Sequence, residues 1–410
     1  MAIGMGRARN HEPIVVAGGG IGGLAAALGL AGQGFRVLVL EQARELGEIG
    51  AGIQLAPNAW HALDALGVDE RVKEQAVFIE RLLMMDAVSG EAVIEVPVGE
   101  RFRERFGNPY AVTHRADIHG ALLDGSRTRG DRIELRTDSR VTGFEIESNG
   151  VAVELADGTR VTGAALIGAD GWSSAVRRAI VGDGEPPVSG HMCYRAVLDV
   201  EDMPEDLRWA AATLWAGPST HIVHYPLRGW KLFNLVATVV SETAGSGHNE
   251  EASPEEVLPL FAASCEKPLS ILRVPKTFRR WMLRFREPVD NWSRGPVTLL
   301  GDAAHLMLQY AAQGAAMALE DAVCLAVAVG EHDGDFAAAF QSYQRARLVR
   351  ASRVQLSASL LGLLYHARGV ARLVRNDMYA GWSGDGQYDA FEWIYQPPDY
   401  VRRLRCGGYP

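Results

Sequence analysis

The chain has 410 residues, 48% hydrophobic and 22% charged, an ordinary globular balance that excludes disorder, collagen and coiled coil as whole-chain answers. At about 150 residues per domain the length predicts two to three domains. The formal net charge of −9 argues against a nucleic-acid partner, which calls for a basic face. Glycine is in excess: 45 residues, about 11% against a usual share of about 7%.

Residues 1–13 carry Arg7 and Arg9 but no apolar run ending in a cleavage site, so no signal peptide is read. Residues 13–17 (PIVVA) form a short apolar run of the kind buried on both faces of a parallel sheet. A glycine turn follows at 18–23, then an Ala/Leu-rich helical pattern over 24–32. A second buried-strand run over 36–40 ends at Glu41 and closes a βαβ unit. Residues 57–66 read as a helix with Pro57 in its first turn, and 115–123 as another. Over 132–166 the pattern alternates with period two, and Asn149-Gly150 and Asp157-Gly158 mark hairpin turns. Residues 195–200, 220–225 and 231–240 read as longer strands of a second sheet, and the polar stretch 241–253 as the softest linker. At 297–300 the buried-strand type returns and runs into Gly301-Asp302; from 314 to about 375 the pattern is mostly helical.

This order predicts an α/β protein with a discontinuous Rossmann-like dinucleotide-binding domain, residues 1–177 and 291–350. A mixed-sheet substrate domain, 178–290, is inserted into it, and a helical segment, 351–410, follows. No apolar stretch approaches the roughly 20 residues of a membrane span. Cys193, Cys265, Cys324 and Cys406 are scattered and form no C-x-x-C pair, which predicts reduced thiols and a cytoplasmic protein. The histidine pairs His114/His119 and His221/His224 lack the Cys or carboxylate set of a zinc site, so no metal is expected. Neither a G-x-S-x-G elbow nor an H-E-x-x-H string occurs.

The strongest chemical signal is Gly18-Gly19-Gly20-Ile21-Gly22-Gly23, a G-x-G-x-x-G string between a strand and a helix. Gly18 permits the tight turn, Gly20 lets the backbone approach a pyrophosphate, and Gly23 lets helix and strand pack closely. The helix N-terminus then holds the anion. Glu41, 18 residues on, suits a ribose hydroxyl and repels a 2′-phosphate. Two further strand-to-turn junctions carry an Asp: Gly168-Ala169-Asp170-Gly171 and Gly301-Asp302-Ala303-Ala304-His305, the latter ahead of Gln313-Gly314. Each Asp suits a ribose, a ribityl chain or a helix cap.

On these three strings, from Ile14 to about Trp393, the chain resembles the FAD-dependent, single-component aromatic hydroxylases of the para-hydroxybenzoate hydroxylase type. The resemblance implies bound FAD, held by Gly18, Gly20, Gly23, Glu41, Gln54, Arg115, Asp170, Gly301, Asp302 and Gly314. It implies a reduced nicotinamide without a domain of its own, NADH rather than NADPH, and O2 and a small phenolic aromatic acid as co-substrates. A homodimer is the expected assembly. The segments 220–229 and 307–310 are most similar to members that convert 3-hydroxybenzoate to gentisate; salicylate 1-hydroxylation and 6-hydroxynicotinate 3-hydroxylation are the alternatives. A flavin reductase or a binding protein of the same fold is the reading from another class. One departure is Leu306, where the family generally has proline, and it puts the coupling of reduction to hydroxylation in question.

The residues themselves fit a phenol. On a strand His221, Val223 and Tyr225 share a face and His224 points the other way. A phenol with a pKa near 10 is a poor nucleophile at neutral pH, and removing its proton activates the para position. Histidine suits that task, so His221 is the expected proton acceptor or relay. Tyr225 is the expected substrate-orienting hydroxyl, and Gln309 the hydrogen-bond partner near the phenol. Arg345, Arg347, Arg350 and Arg353 read as a basic, solvated or interface face of a helix, and Trp382, Trp393 and Tyr395 as a cover for the substrate domain or a dimer contact.

Overall fold

The computed structural model describes residues 12–47, 51–241 and 248–406. Residues 1–11, Gly50 of the Gln54 loop and residues 242–247 of the linker candidate lie outside them. Among the described residues a six-stranded sheet runs in the order Ser293–Arg294, Val297–Leu299, Ala165–Gly168, Ile14–Ala17, Val37–Leu40, Ile133–Arg136. Ile14 pairs in parallel with Ala165 on one side and Val37 on the other. Three separate stretches of chain build this sheet. Its central strands are buried at every residue, which is why they read as unbroken apolar runs. The helix Ile21–Gly32 is almost wholly buried. It packs with the helix Gly314–Glu331 on this sheet, in one apolar core.

A mixed eight-stranded sheet forms the second layer, in the order His248–Ala252, Phe278–Arg284, Val188–Asp199, Leu232–Val240, Thr220–Leu227, Ala211–Gly217, Arg81–Asp86, Ala92–Pro97. Its last two strands come from the chain before residue 178, and Arg81–Asp86 runs parallel to Ala211–Gly217. The far face of this sheet buries its own core around Trp215, Phe233, Leu235 and Phe261. The near face looks toward the first domain.

The helix Phe336–Tyr365 is continuous across residue 350 and leads to Val370–Ala380, Asp385–Tyr395 and Asp399–Cys406. Buried charge ties this segment down. Asp86 accepts from Arg372 at 2.7 Å, Arg375 at 3.0 Å and Asn376 at 2.7 Å. The expected basic face divides. Arg345 and Arg353 are exposed, but Arg347 is fully buried between Glu320 (2.5 Å), Asp321 (2.6 Å) and the Tyr400 hydroxyl. Arg350 is mostly buried and binds Glu320 at 2.7 Å. The correction follows from pairing: two carboxylates on the neighbouring helix satisfy guanidinium groups that would otherwise need water. Among the described residues no helix is long and apolar enough to cross a membrane.

Candidate active site

Between the two layers lies a cavity of about 720 Å³. One end is the glycine turn. Gly18 has φ +107°, and a Cβ there would sit 2.3 Å from the Ala169 carbonyl; a Cβ on Gly23 would sit 1.9 Å from the Gly18 carbonyl. The turn and the helix start therefore close only with glycine. Gly20 caps the helix in extended geometry and lines the cavity with Ile21 and Gly22. Glu41 accepts the Gly19 N–H at 2.7 Å and the Ala43 N–H at 2.8 Å, so its carboxylate stands beside the turn.

Gln54, Arg115, Gly301, Asp302 and Gly314 all line the cavity. Gln54 accepts from the Tyr110 hydroxyl at 2.8 Å. Arg115 and Asp302 are exposed there. The Gly301 N–H donates to Asp321 at 3.0 Å, and the same carboxylate oxygen meets His305 Nε2 at 2.6 Å, so a buried acid holds the turn from behind. Asp170 faces elsewhere. Its carboxylate accepts from Ser174 Oγ and from the Ala175 N–H at 2.7 Å, which caps the helix Ala175–Ile180. Its string meets the cavity through Ala169 and Gly171.

These features fit the adenine dinucleotide and isoalloxazine of FAD: a Cβ-free turn at a helix N-terminus, a carboxylate beside it, and a cavity long enough to continue onto the second sheet. When bound, FAD supplies the redox chemistry and the activated oxygen.

The other end of the cavity is the near face of the eight-stranded sheet. Register brings Cys193, Thr238 and His221 into one row across three strands, then Arg195, Val236 and Val223, then Val197, Asn234 and Tyr225. His221, Val223, Tyr225, Val236 and Arg195 line the cavity. His224, on the opposite face, is buried against Trp209 and Phe233 with both ring nitrogens unpartnered, and burial lowers it to about 3. Gln309 lies over the first row. It accepts from Arg195 at 2.6 Å and donates to Thr238 at 3.3 Å and to the Cys193 sulfur at 3.5 Å. Trp382, Trp393 and Tyr395 close the cavity from the C-terminal segment.

Burial pushes the Tyr225 phenol up, and Arg195 offsets part of that. Burial also holds His221 well below the usual histidine range, with His366 and His191 adding to the effect. His221 Nδ1 stands 2.7 Å from His366 Nε2.

Two of these groups escaped sequence reasoning. Arg195 is half-buried in the cavity wall, and among the described residues no carboxylate pairs with it. The signal available was a lone cation in a strand, and its lack of a partner is a tertiary fact. His366 comes from the end of a helix 145 residues away from His221.

Leu306 keeps φ at −51°, near the value that proline imposes, and among the described residues no backbone acceptor takes its N–H. The Arg286 N–H at 3.1 Å and Gln355 Nε2 at 3.3 Å hold its carbonyl, so the turn is braced without proline.

A two-layer fold with a Rossmann-like turn opening onto a sheet-walled aromatic pocket defines a class, the flavin-dependent aromatic-ring hydroxylases. The chain matches the FAD binding domain family over residues 11–357 and belongs to it, as an FAD-dependent monooxygenase. It is 50% identical to 3-hydroxybenzoate 6-hydroxylase of Polaromonas naphthalenivorans (strain CJ2) over 93% of this chain and 95% of that protein. It is 48% identical to 3-hydroxybenzoate 6-hydroxylase 1 of Aquipseudomonas alcaligenes, over 94% and 98%. In fold it is similar to Klebsiella pneumoniae HpxO complexed with FAD and uric acid, with a TM-score of 0.83, 24% identity and coverage of 95% of this chain and 98% of that one.

Proposed function

We propose that the protein hydroxylates 3-hydroxybenzoate to gentisate, using FAD, NADH and O2. The observation that carries this reading is the pairing, on one sheet face, of a buried neutral histidine and a guanidinium without a carboxylate partner. Along that face Arg195 and His221 stand two strands and one row apart, about 10 Å across and about 7 Å along at the backbone. Their side chains converge on the same cavity. An aromatic ring with a carboxylate and a hydroxyl at separate positions satisfies both. Arg195 takes the carboxylate, with the Tyr225 hydroxyl beside it. His221 takes the phenolic proton through Nε2, the ring nitrogen not committed to His366. Gln309, fixed by three partners, orients the phenol oxygen, and the ring position para to that oxygen becomes electron-rich. The apolar walls around Val223, Val236 and Ile394 exclude water.

The relatives named 3-hydroxybenzoate 6-hydroxylase support the same substrate. Free cysteines at positions 193, 265 and 324 fit a reducing cytoplasm. The exposed row Leu356, Leu360, Leu363 on one helix, continued by Val370, Leu373, Val374 and Met378 on the next, fits a second copy of the chain across a two-fold axis.

The test is oxidation of NADH or NADPH by the FAD-loaded protein with a panel of hydroxybenzoates, with products identified by chromatography. Gentisate from 3-hydroxybenzoate is expected, with NADH giving the higher kcat/KM. Catechol from salicylate, or nicotinamide oxidation without hydroxylated product, overturns the substrate assignment.

A further inference from the structure

We propose that His366 is the second member of a proton relay that carries the substrate's phenolic proton from His221 out of the cavity. The proposal rests on the reading of His221 as the phenol's proton acceptor.

The geometry is a chain of rings. His221 is 2% exposed, and its Nδ1 lies 2.7 Å from His366 Nε2, a full hydrogen bond. The two ring centroids are 4.9 Å apart. The His191 ring lies 5.1 Å beyond His366; it is half-buried and bonds the Tyr310 hydroxyl through Nδ1 at 2.5 Å. The cluster therefore runs from the cavity wall toward the surface.

The groups facing the pair, from every element packed on it, are His191 on the strand Val188–Asp199, Tyr310 on the turn Gln309–Ala311, and Tyr365 at the end of the long helix. None is a carboxylate. Burial holds His366 at about 4, so both rings are neutral at neutral pH and a single hydrogen sits between them. Among the described residues no carboxylate faces His221 to stabilise an imidazolium there, so a proton that arrives there moves on.

The transfer balances without any added reactant. The phenol O–H bond breaks and its proton goes to His221 Nε2. The His221 Nδ1–H proton passes to His366 Nε2, and the His366 Nδ1–H proton passes to water. His221 ends neutral, in its other tautomer. When product leaves as a neutral phenol it takes the Nε2 proton, and a proton from water returns through His366. One histidine alone would hold the charge in a dry wall; two in series export it.

The test compares wild type, His366→Gln and His221→Gln, all FAD-loaded, with whichever hydroxybenzoate the wild type hydroxylates. Glutamine at 366 reaches the His221 ring but cannot relay. Stopped-flow ultraviolet absorbance reads conversion of bound phenol to phenolate, and kcat is followed across pH. For H366Q, phenolate formation and kcat at pH 7 are expected to fall between about 10- and 100-fold. KM should be unchanged, and kcat should recover as pH rises and hydroxide takes the proton. Imidazole should restore part of the rate in His366→Ala. Bound-flavin absorbance and circular dichroism matching wild type establish that each variant is folded. If H366Q forms phenolate at the wild-type rate with the wild-type pH profile while H221Q is slow, the relay is overturned and the His221 reading stands. If H221Q is also unimpaired, that reading and the relay fall together.

Discussion

On the proposed reading, Arg195 separates recognition from chemistry. Its guanidinium lines the cavity, donates to Gln309 at 2.6 Å and lies 5.7 Å from the centre of the Trp281 ring. A half-buried cation that has no carboxylate partner among the described residues is costly, and on the proposed reading a carboxylate substrate removes that cost each time it binds. A hydrogen bond to a charged group contributes about 1.5–3 kcal/mol. Arg195→Met is therefore expected to raise KM for the hydroxybenzoate about 10- to 100-fold and to change kcat little. A neutral phenol lacking the carboxylate should bind both proteins alike. Steady-state kinetics with the two substrates checks this; an unchanged KM for the acid removes Arg195 from recognition. His221 and Tyr225 were legible because a period of two puts them on one face. Arg195 shares that face, but its missing partner is visible only once the strands Val188–Asp199 and Leu232–Val240 are in register.

At the scale of elements, the strands buried on both faces were the most legible. Ile14–Ala17 and Val37–Leu40 have no polar residue to interrupt the signal, and Pro57 begins the helix Pro57–Leu66 as read. The strands Arg81–Asp86 and Ala92–Pro97 were not read, because their burial patterns are broken and the strand that joins this hairpin to the sheet, Ala211–Gly217, lies more than a hundred residues away. Asp170 illustrates a different limit: helix cap and ribose ligand ask for the same residue type, so residue type alone does not choose between them, whereas the carboxylate's turn onto Ala175 is visible only in the folded chain. Leu306 is the element where local sequence raised a doubt that the backbone answers. Because φ is already −51° and among the described residues no backbone acceptor takes the N–H, Leu306→Pro should stabilise the fold by about 0.4–1 kcal/mol through the unfolded chain. Coupling of NADH oxidation to hydroxylation should stay as it is. Denaturant unfolding together with the ratio of product to NADH consumed checks it; a loss of more than about 1 kcal/mol would show that the turn needs leucine.

At the scale of the whole molecule, the C-terminal helices complete the site. Arg347 joins Glu320, Asp321 and Tyr400, and Asp321 in turn holds Gly301 and His305. The flavin-side turn is therefore braced by a charge cluster reaching into the last helix. The basic pattern misread this cluster because arginines spaced along a helix look alike whether water or carboxylate faces them. The same segment leaves Leu360 61%, Leu363 73%, Val370 74% and Met378 64% exposed, a concentration of large apolar side chains of the kind that marks an interaction surface. The proposed dimer predicts a mass near twice 44.4 kDa in sedimentation. Leu363→Glu with Val370→Glu should give a monomer that still binds FAD. A monomeric wild type overturns the assembly.

Gly52 joins the two halves of the site. Its N–H donates to Asn234 at 2.8 Å, and a Cβ would lie 2.5 Å from the Tyr225 ring and 2.8 Å from Asn234. The strand Gly52–Leu55 and the near face of the eight-stranded sheet thus touch through bare backbone. That contact acts as a spacer of zero thickness: on the proposed reading it would set the gap left for an aromatic ring between them. A side chain at position 52 would push the two halves apart, so the width of the cavity depends on a residue that adds no atoms to it.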